Sequence, residues 1–210
     1  MIGKIRKGRS FGGCIRYVTQ KDDAEIIASE GVLLGTAEET ARSFRWQCLL
    51  SPDVAKPVGH IALSFKPEDA PRLTDAFMAR LAEEYLELMG IRNTQFIVVR
   101  HHGTDNPHCH IVFNRVDFDG KVISDSNDFR RNERVTKMLK KKYSLTYSEG
   151  KQSVKTEKLH ASERVKYEIY RAVKEALRSA DTWKEFQNKL LKMGVEMEFK
   201  YKGNTNEVQV

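Results

Sequence analysis

The stretch FIVVRHHGTDNPHCHIVFNRV, residues 96–116, decides the fold, because it places two apolar segments on either side of a short polar turn. Phe96–His101 and His108–Val116 have the residue content of strands, and the residues between them are mostly turn formers. A connection this short can join only antiparallel neighbours. We therefore expect residues 96–116 to form a hairpin within a sheet.

The segments around this hairpin predict the rest of an α+β fold, a central antiparallel sheet with helices packed on one face. Val58–Phe65 alternates in polarity, which predicts a strand with His60, Ala62 and Ser64 on one face. A capping box of Thr36 and Glu39 marks the start of a helix. Helices are predicted at Glu38–Leu50, Pro67–Met89 and Asn127–Lys142, and short strand-like segments at Ile2–Ile5 and Cys14–Val18, on either side of a basic loop at Arg6–Gly13.

The C-terminal segment has a different organisation. Residues 148–158 are polar and linker-like, helices are predicted at Glu163–Ser179 and Thr182–Met193, and Glu196–Tyr201 predicts a strand. Another strand begins at Glu207 where the sequence stops, so we expect a truncation from a longer protein. Two domains are predicted: a sheet domain at 1–147 and a helical extension with a C-terminal strand at 148–210.

The composition favours a polyanionic partner. The net charge is +7, and lysine and arginine release counterions from nucleic-acid phosphates. The three cysteines are scattered, which argues against a disulfide framework. No apolar run approaches the roughly 20 residues that span a bilayer, and no apolar segment of a signal peptide follows the basic start. We therefore expect a cytoplasmic protein with no membrane insertion.

Histidines concentrate at the predicted hairpin turn, with four of the six between residues 101 and 110. His108 and His110 are two apart on a strand and share a face, and the hairpin brings His101 beside them. Three imidazoles with open coordination positions suit a catalytic metal ion. A solvated, histidine-rich turn is the alternative. His102 faces away from His101 by alternation and is not expected to be a ligand.

Three segments carry a resemblance to a known family. Residues 99–116, VRHHGTDNPHCHIVFNRV, resemble the metal motif of plasmid and transposon mobilisation relaxases, in the HUH endonuclease superfamily. GHIALSF, residues 59–65, resembles the second motif of that family, and FGGCIRY, residues 11–17, resembles the first. The matches occur in the family's order over residues 1–145. The resemblance therefore implies that residues 1–147 form the relaxase catalytic domain.

One position departs from the family's pattern. An acidic residue commonly follows the first metal ligand by two positions, and this chain has Gly103 there. Asp105 is expected to take over, either by orienting a ligand histidine or by assisting proton transfer.

The resemblance implies a mechanism. Tyr17 attacks a phosphodiester of single-stranded DNA at an origin of transfer, which joins the enzyme to the 5′ phosphate and leaves a free 3′ hydroxyl. His101, His108 and His110 hold a divalent metal ion, with Mn²⁺ or Mg²⁺ expected first and other divalent metals left open. An unassisted phenol, with a pKa of about 10, is a poor nucleophile, so a metal ion and a base are needed.

The resemblance also implies partners. The joined DNA strand passes from the bacterial cytoplasm to a recipient cell through a conjugative secretion channel, with the help of accessory mobilisation proteins. Candidate DNA contacts are basic or hydroxyl side chains in three places, namely Arg6, Lys7 and Arg9, then Ser64, then Arg130, Arg131 and Arg134. Exposed basic faces and a plain strand serine are the alternative explanations.

Competing functions stay open at the level of sequence. For Tyr17 the alternative is a core tyrosine in a short strand. A rolling-circle replication initiator would use the same chemistry, whereas a water-using metallonuclease would not depend on Tyr17. A nucleic-acid-binding module with a structural metal fits poorly, because structural zinc sites are usually closed by four ligands, commonly including cysteine.

Overall fold

A computed structural model describes residues 1–147, 161–203 and 205. The chain forms two compact units, Met1–Ser148 and Glu149–Val210. The first unit is built on five antiparallel strands in the order β1–β3–β5–β4–β2. These strands are β1 (Ile2–Gly8), β2 (Ala24–Glu30), β3 (Val58–Ser64), β4 (Phe96–His101) and β5 (His108–Asn114).

The predicted hairpin is confirmed at the centre of this sheet. β4 pairs with β5, and His101 lies opposite His108 beside the turn. β3 is confirmed on the other side of β5. The edge strand β2 was not predicted, because an edge strand has one partner and most of its residues stay partly exposed, so its apolar pattern is weak.

Helices cover both faces of the sheet. The α1 face, which carries Val58, Ile97, Val99 and Val112, is covered by α1 (Phe11–Thr19) and α2 (Ala37–Cys48). The α3 face, which carries Ile61, Leu63, Val98 and Ile111, is covered by α3 (Asp75–Leu88) and α4 (Asp128–Lys142). The prediction of helices on one face was wrong. In β4 the four consecutive residues Phe96–Val99 are all buried, and such a strand needs cover on both sides.

The N-terminal segment differs from its prediction as well. β1 continues to Gly8, and the residues expected to form a loop and a short strand instead form α1. Ser10 caps this helix by accepting a hydrogen bond from the amide of Gly13. Phe11, Ile15 and Val18 recur at helical spacing and are buried. The alternative of a core tyrosine in a strand is therefore excluded, since Tyr17 lies on the other side of this helix and is 61% exposed.

Two predicted helices of the first unit start at capping residues. α2 begins with the predicted capping box, in which Thr36 and Glu39 exchange hydrogen bonds. The helix predicted over Pro67–Met89 is divided into a 3-10 helix, Pro67–Arg72, and α3, which Thr74 caps. Pro71 explains the division, because proline has no amide hydrogen and disfavours the α conformation of the residue before it.

The described part of the second unit contains two helices, α5 (Ala161–Ser179) and α6 (Trp183–Lys192). They pack through Ala172, Ala176, Phe186 and Leu190. The strand predicted at Glu196–Tyr201 does not extend over residues 195–200, where Val195 and Met197 pack against the two helices, and Tyr201 lies in a single β-bridge. The predicted linker and the predicted strand at 207–210 lie outside the described residues. None of the described helices has the length and apolar content to cross a membrane.

A glycine in β3 makes room for an aromatic ring. Gly59 pairs with Phe113 of β5, and a Cβ at position 59 would lie 2.1 Å from the ring. We expect Gly59→Ala to lower the free energy of unfolding in urea by about 1–3 kcal/mol, the cost of overpacking a core. Gly8→Ala is the control, because its Cβ would meet Val58 at an ordinary 3.6 Å. Equal effects of the two substitutions would contradict the steric explanation.

Candidate active site

Three histidines converge on the α1 face at the end of the β4–β5 hairpin. His101 and His108 are directly opposite one another, and His110 pairs with Val99. His101 and His110 are buried, and His108 is half-buried. One ligand nitrogen of each ring lies within 4.8 Å of the others. We call this cluster of His101, His108 and His110 the triad.

Backbone carbonyls orient two rings of the triad. His101 Nε2 lies 2.8 Å from the carbonyl oxygen of Val18, and His108 Nδ1 lies 3.1 Å from that of Asn106. A carbonyl can only accept, so each of these ring nitrogens carries the hydrogen. The opposite nitrogens, His101 Nδ1 and His108 Nε2, then face each other at 3.2 Å with lone pairs. Two facing lone pairs fit a shared cation, so the donor set suits a metal ion.

The third ring has a histidine neighbour. His110 Nδ1 lies 3.0 Å from Nε2 of His60, which leaves His110 Nε2 for a metal. Burial, followed by the charges of His60 and His101, lowers the pKa of His110 to about 3. His110 is therefore neutral near pH 7, as a metal ligand must be. His60 was left outside the predicted site, although strand alternation places it on the same face as Ser64.

The exposed Tyr17 lies beside the triad. Its ring is edge-on to His110 and to His60, at centroid distances of 5.7 and 5.9 Å. α1 thus carries both this tyrosine and, through the carbonyl of Val18, the anchor of His101. Tyr17 opens onto a cleft of about 370 Å³, which is lined by Lys4, Arg6, Gly13, Cys14, Tyr17, His60, Ala62 and His110.

The predicted DNA contacts divide between the two faces. Arg6 lies at the cleft opposite His60, and Ser64 lies opposite His108. Lys4, which was not predicted, joins Arg6 because alternate residues of β1 share a face. Arg9 is exposed at the junction of β1 and α1.

The remaining predicted contacts do not reach the triad. Lys7 points to the α3 face, where it forms ion pairs of 2.7 and 2.8 Å with Asp125 and Asp128. Arg130, Arg131 and Arg134 lie on α4, which covers that same face. Alternation along β1 is the signal that could have separated Lys7 from Arg6, once the strand was known to continue beyond Ile5.

The two residues at the turn, His102 and Asp105, are exposed. His102 lies outside the triad, as predicted, and its Nε2 is 3.1 Å from a carboxylate oxygen of Glu25. In the part of the chain that the structure describes, the Asp105 carboxylate makes no hydrogen bond or ion pair. Its predicted role stays a prediction.

The sheet, the triad and the adjacent tyrosine define a candidate metal-dependent nuclease. Residues 17–145, more than half of the chain, match the family model of the MobA/VirD2-like relaxase nuclease domain. The chain therefore belongs to the MobA/VirD2-like relaxase family. This is a family of DNA-nicking enzymes that generally use a divalent metal ion. No curated protein matches the chain.

The lowered pKa of His110 predicts how the metal-free protein responds to acid. The folded state holds fewer protons than the unfolded state between the ordinary pKa of histidine, 6.5, and about 3. The contribution of neutral His110 to the free energy of unfolding is therefore complete above pH 6.5 and is lost as the pH falls from 6.5 to about 3. We expect His110→Gln, in the presence of chelator, to reduce the slope of the free energy of unfolding against pH in this window. The reduction is up to about 1.4 kcal/mol per pH unit.

The measurement is urea unfolding at several values of pH. His102→Gln is the control, because it removes an exposed histidine outside the triad and is expected to leave the slope unchanged. A slope that is the same in His110→Gln as in the wild type would show that burial of His110 does not govern acid stability.

Proposed function

We propose that this chain nicks one strand of DNA by transesterification, with the phenol of Tyr17 as the nucleophile. The tyrosine oxygen forms a bond to phosphorus while the bond from phosphorus to the 3′ oxygen breaks. The products are a 5′-phosphotyrosine ester and a 3′ hydroxyl, which takes up a proton. The observation that carries the proposal is the exposed ring of Tyr17, edge-on to His110 at 5.7 Å.

The composition of the triad favours a side-chain nucleophile over water. Two-metal sites that hydrolyse phosphodiesters hold their ions largely through carboxylates, whereas the triad consists of three imidazoles. A divalent ion held there would polarise the scissile phosphate and stabilise its developing charge. Imidazole ligands suit Mn²⁺ better than Mg²⁺, which prefers oxygen ligands and would depend more on the phosphate.

The phenol proton must pass to a base as the new ester forms. His60 is the neighbouring ring in the structure, and burial lowers its pKa, so it is neutral near pH 7. Its Nε2 already faces Nδ1 of His110 at 3.0 Å, so His60 would take the phenol proton only by giving up that contact. Asp105 is the candidate base that the sequence predicts.

The reaction is reversible in this proposal. The ester formed is similar in energy to the bond broken, so the 3′ hydroxyl can attack back and reseal the strand.

The basic side of the cleft would hold the DNA backbone. Lys4 and Arg6 lie along it, Ser64 can donate a hydrogen bond to a phosphate oxygen beside the triad, and Arg9 extends the basic surface. Contacts from Arg130 and Arg134 would require DNA that extends around to α4.

The wider role is part of the proposal and rests on the family. The DNA would be single-stranded at an origin of transfer. The nicked strand would leave the cytoplasm through a conjugative secretion channel with accessory mobilisation proteins.

The test is formation of a covalent protein–DNA adduct. The protein is incubated with Mn²⁺ and a single-stranded oligonucleotide that carries the transfer origin of its element, and the products are separated on a denaturing protein gel. We expect a slower, protease-sensitive adduct that both Tyr17→Phe and His108→Ala abolish. Tyr147→Phe is the matched control, because Tyr147 is similarly exposed, at 56%, and lies after α4. Cleavage that persists in Tyr17→Phe would instead indicate water as the nucleophile.

The basic side of the cleft makes a separate prediction about salt dependence. We expect the double variant Lys4→Ala/Arg6→Ala to reduce the slope of log binding constant against log salt by about 1.4, since each single-strand phosphate contact contributes about 0.7. Fluorescence anisotropy with the same oligonucleotide measures it. Lys7→Ala is the control, because its charge is paired on the α3 face, and it is expected to lower stability without changing the slope. Equal slopes in the wild type, the double variant and Lys7→Ala would mean that the DNA backbone does not contact Lys4 and Arg6.

A further inference from the structure

Asp23 lies in the turn between α1 and β2 and contacts the residues that follow His101. Its Oδ2 accepts a hydrogen bond of 2.5 Å from the amide of Gly103, and its carbonyl accepts one of 3.1 Å from the amide of His102. The next residue, Ala24, pairs with His101 across the sheet. Asp23 therefore fixes the backbone where β4 ends, directly after a residue of the triad.

The Asp23 carboxylate occupies the space that a side chain at position 103 would take. A Cβ on Gly103 would lie 2.6 Å from Asp23 Oδ2 and 3.4 Å from its Cγ. Such a contact is too close, so glycine at 103 and the carboxylate of Asp23 depend on each other. Position 103 is also where this chain departs from the acidic residue of the family's pattern. In this chain the carboxylate beside position 103 comes from a different segment, the turn before β2.

The Asp23 carboxylate brings a negative charge to this end of β4. The hydrogen bond from Gly103, more than the charges of Lys21 and His101, lowers the pKa of Asp23, so it is ionised near pH 7. The carboxylate accepts the amide hydrogen of Gly103, two residues after His101, so this negative charge lies beside the end of β4 that carries a residue of the triad.

We propose that Asp23 is a positioning residue of the metal site, which holds the His101 end of β4 and places a negative charge beside the triad. This inference rests on the proposed metal-dependent function. Groups around the ligands of a metal site orient those ligands and tune their affinity, and their loss typically weakens metal binding by 10- to 100-fold. Asp23 would do this from outside the β4–β5 hairpin.

The first test is Mn²⁺ binding to the whole chain without DNA, followed by the electron paramagnetic resonance signal of free Mn²⁺. Asp23→Asn keeps the size and an acceptor oxygen and removes the charge. We expect its dissociation constant to rise about 10-fold. Asp22→Asn removes the same net charge from an exposed neighbour and is expected to bind Mn²⁺ like the wild type. Equal dissociation constants for Asp23→Asn and the wild type would overturn the proposal.

The second test moves the carboxylate. Asp23→Ala removes it, and Asp23→Ala/Gly103→Asp returns a carboxylate to the same space from position 103. We expect the double variant to bind Mn²⁺ more like the wild type than like Asp23→Ala. If the double variant binds as weakly as Asp23→Ala, the position of the carboxylate beside the triad is not what matters, and the proposal fails.

His108→Ala separates this inference from the proposed function. If His108→Ala binds Mn²⁺ as the wild type does, the triad is not the metal site, and both the proposed function and the role of Asp23 fail. If His108→Ala loses binding while Asp23→Asn retains it, only the role of Asp23 fails. Circular dichroism and thermal unfolding of the metal-free variants confirm that each is folded.

Discussion

The antiparallel pairing of β4 with β5 is the interaction on which the candidate site depends. Its register places His101 opposite His108 and sets His110 on the same face. A slip of one residue would turn the ligand side chains to the α3 face, where Cys109 and Ile111 are fully buried. Imidazoles in that core would be costly without partners. Burial of the apolar residues that alternate with the histidines, such as Cys109 and Ile111, therefore fixes the strand register that brings the triad together.

α1 connects this register to chemistry. Phe11, Ile15 and Val18 anchor the helix in the core, and the carbonyl of Val18 orients the ring of His101. The side of α1 that stays exposed presents Tyr17 to the cleft. A movement of α1 would therefore displace the candidate nucleophile Tyr17 and the candidate metal ligand His101 together.

The sheet also separates the basic residues of β1 onto its two faces. Arg6 and Lys7 are adjacent in sequence, yet one lies at the cleft and the other forms ion pairs with Asp125 and Asp128 on the opposite face. A strand sends successive side chains to opposite faces, so one basic run serves both a candidate DNA surface and the attachment of α4.

The sequence by itself determined the hairpin, β3, the capping box of α2 and the metal-binding potential of the histidines, because each depends on the period of a strand or on a local hydrogen bond. Local pattern could not reveal β2, the helical form of residues 11–19 or the cover on both faces, which follow from packing against distant strands. Only the tertiary structure brought Asp23 to Gly103 and His60 to His110. Those contacts join segments about 80 and 50 residues apart, and no short-range rule of sequence encodes which distant side chain fills a given space.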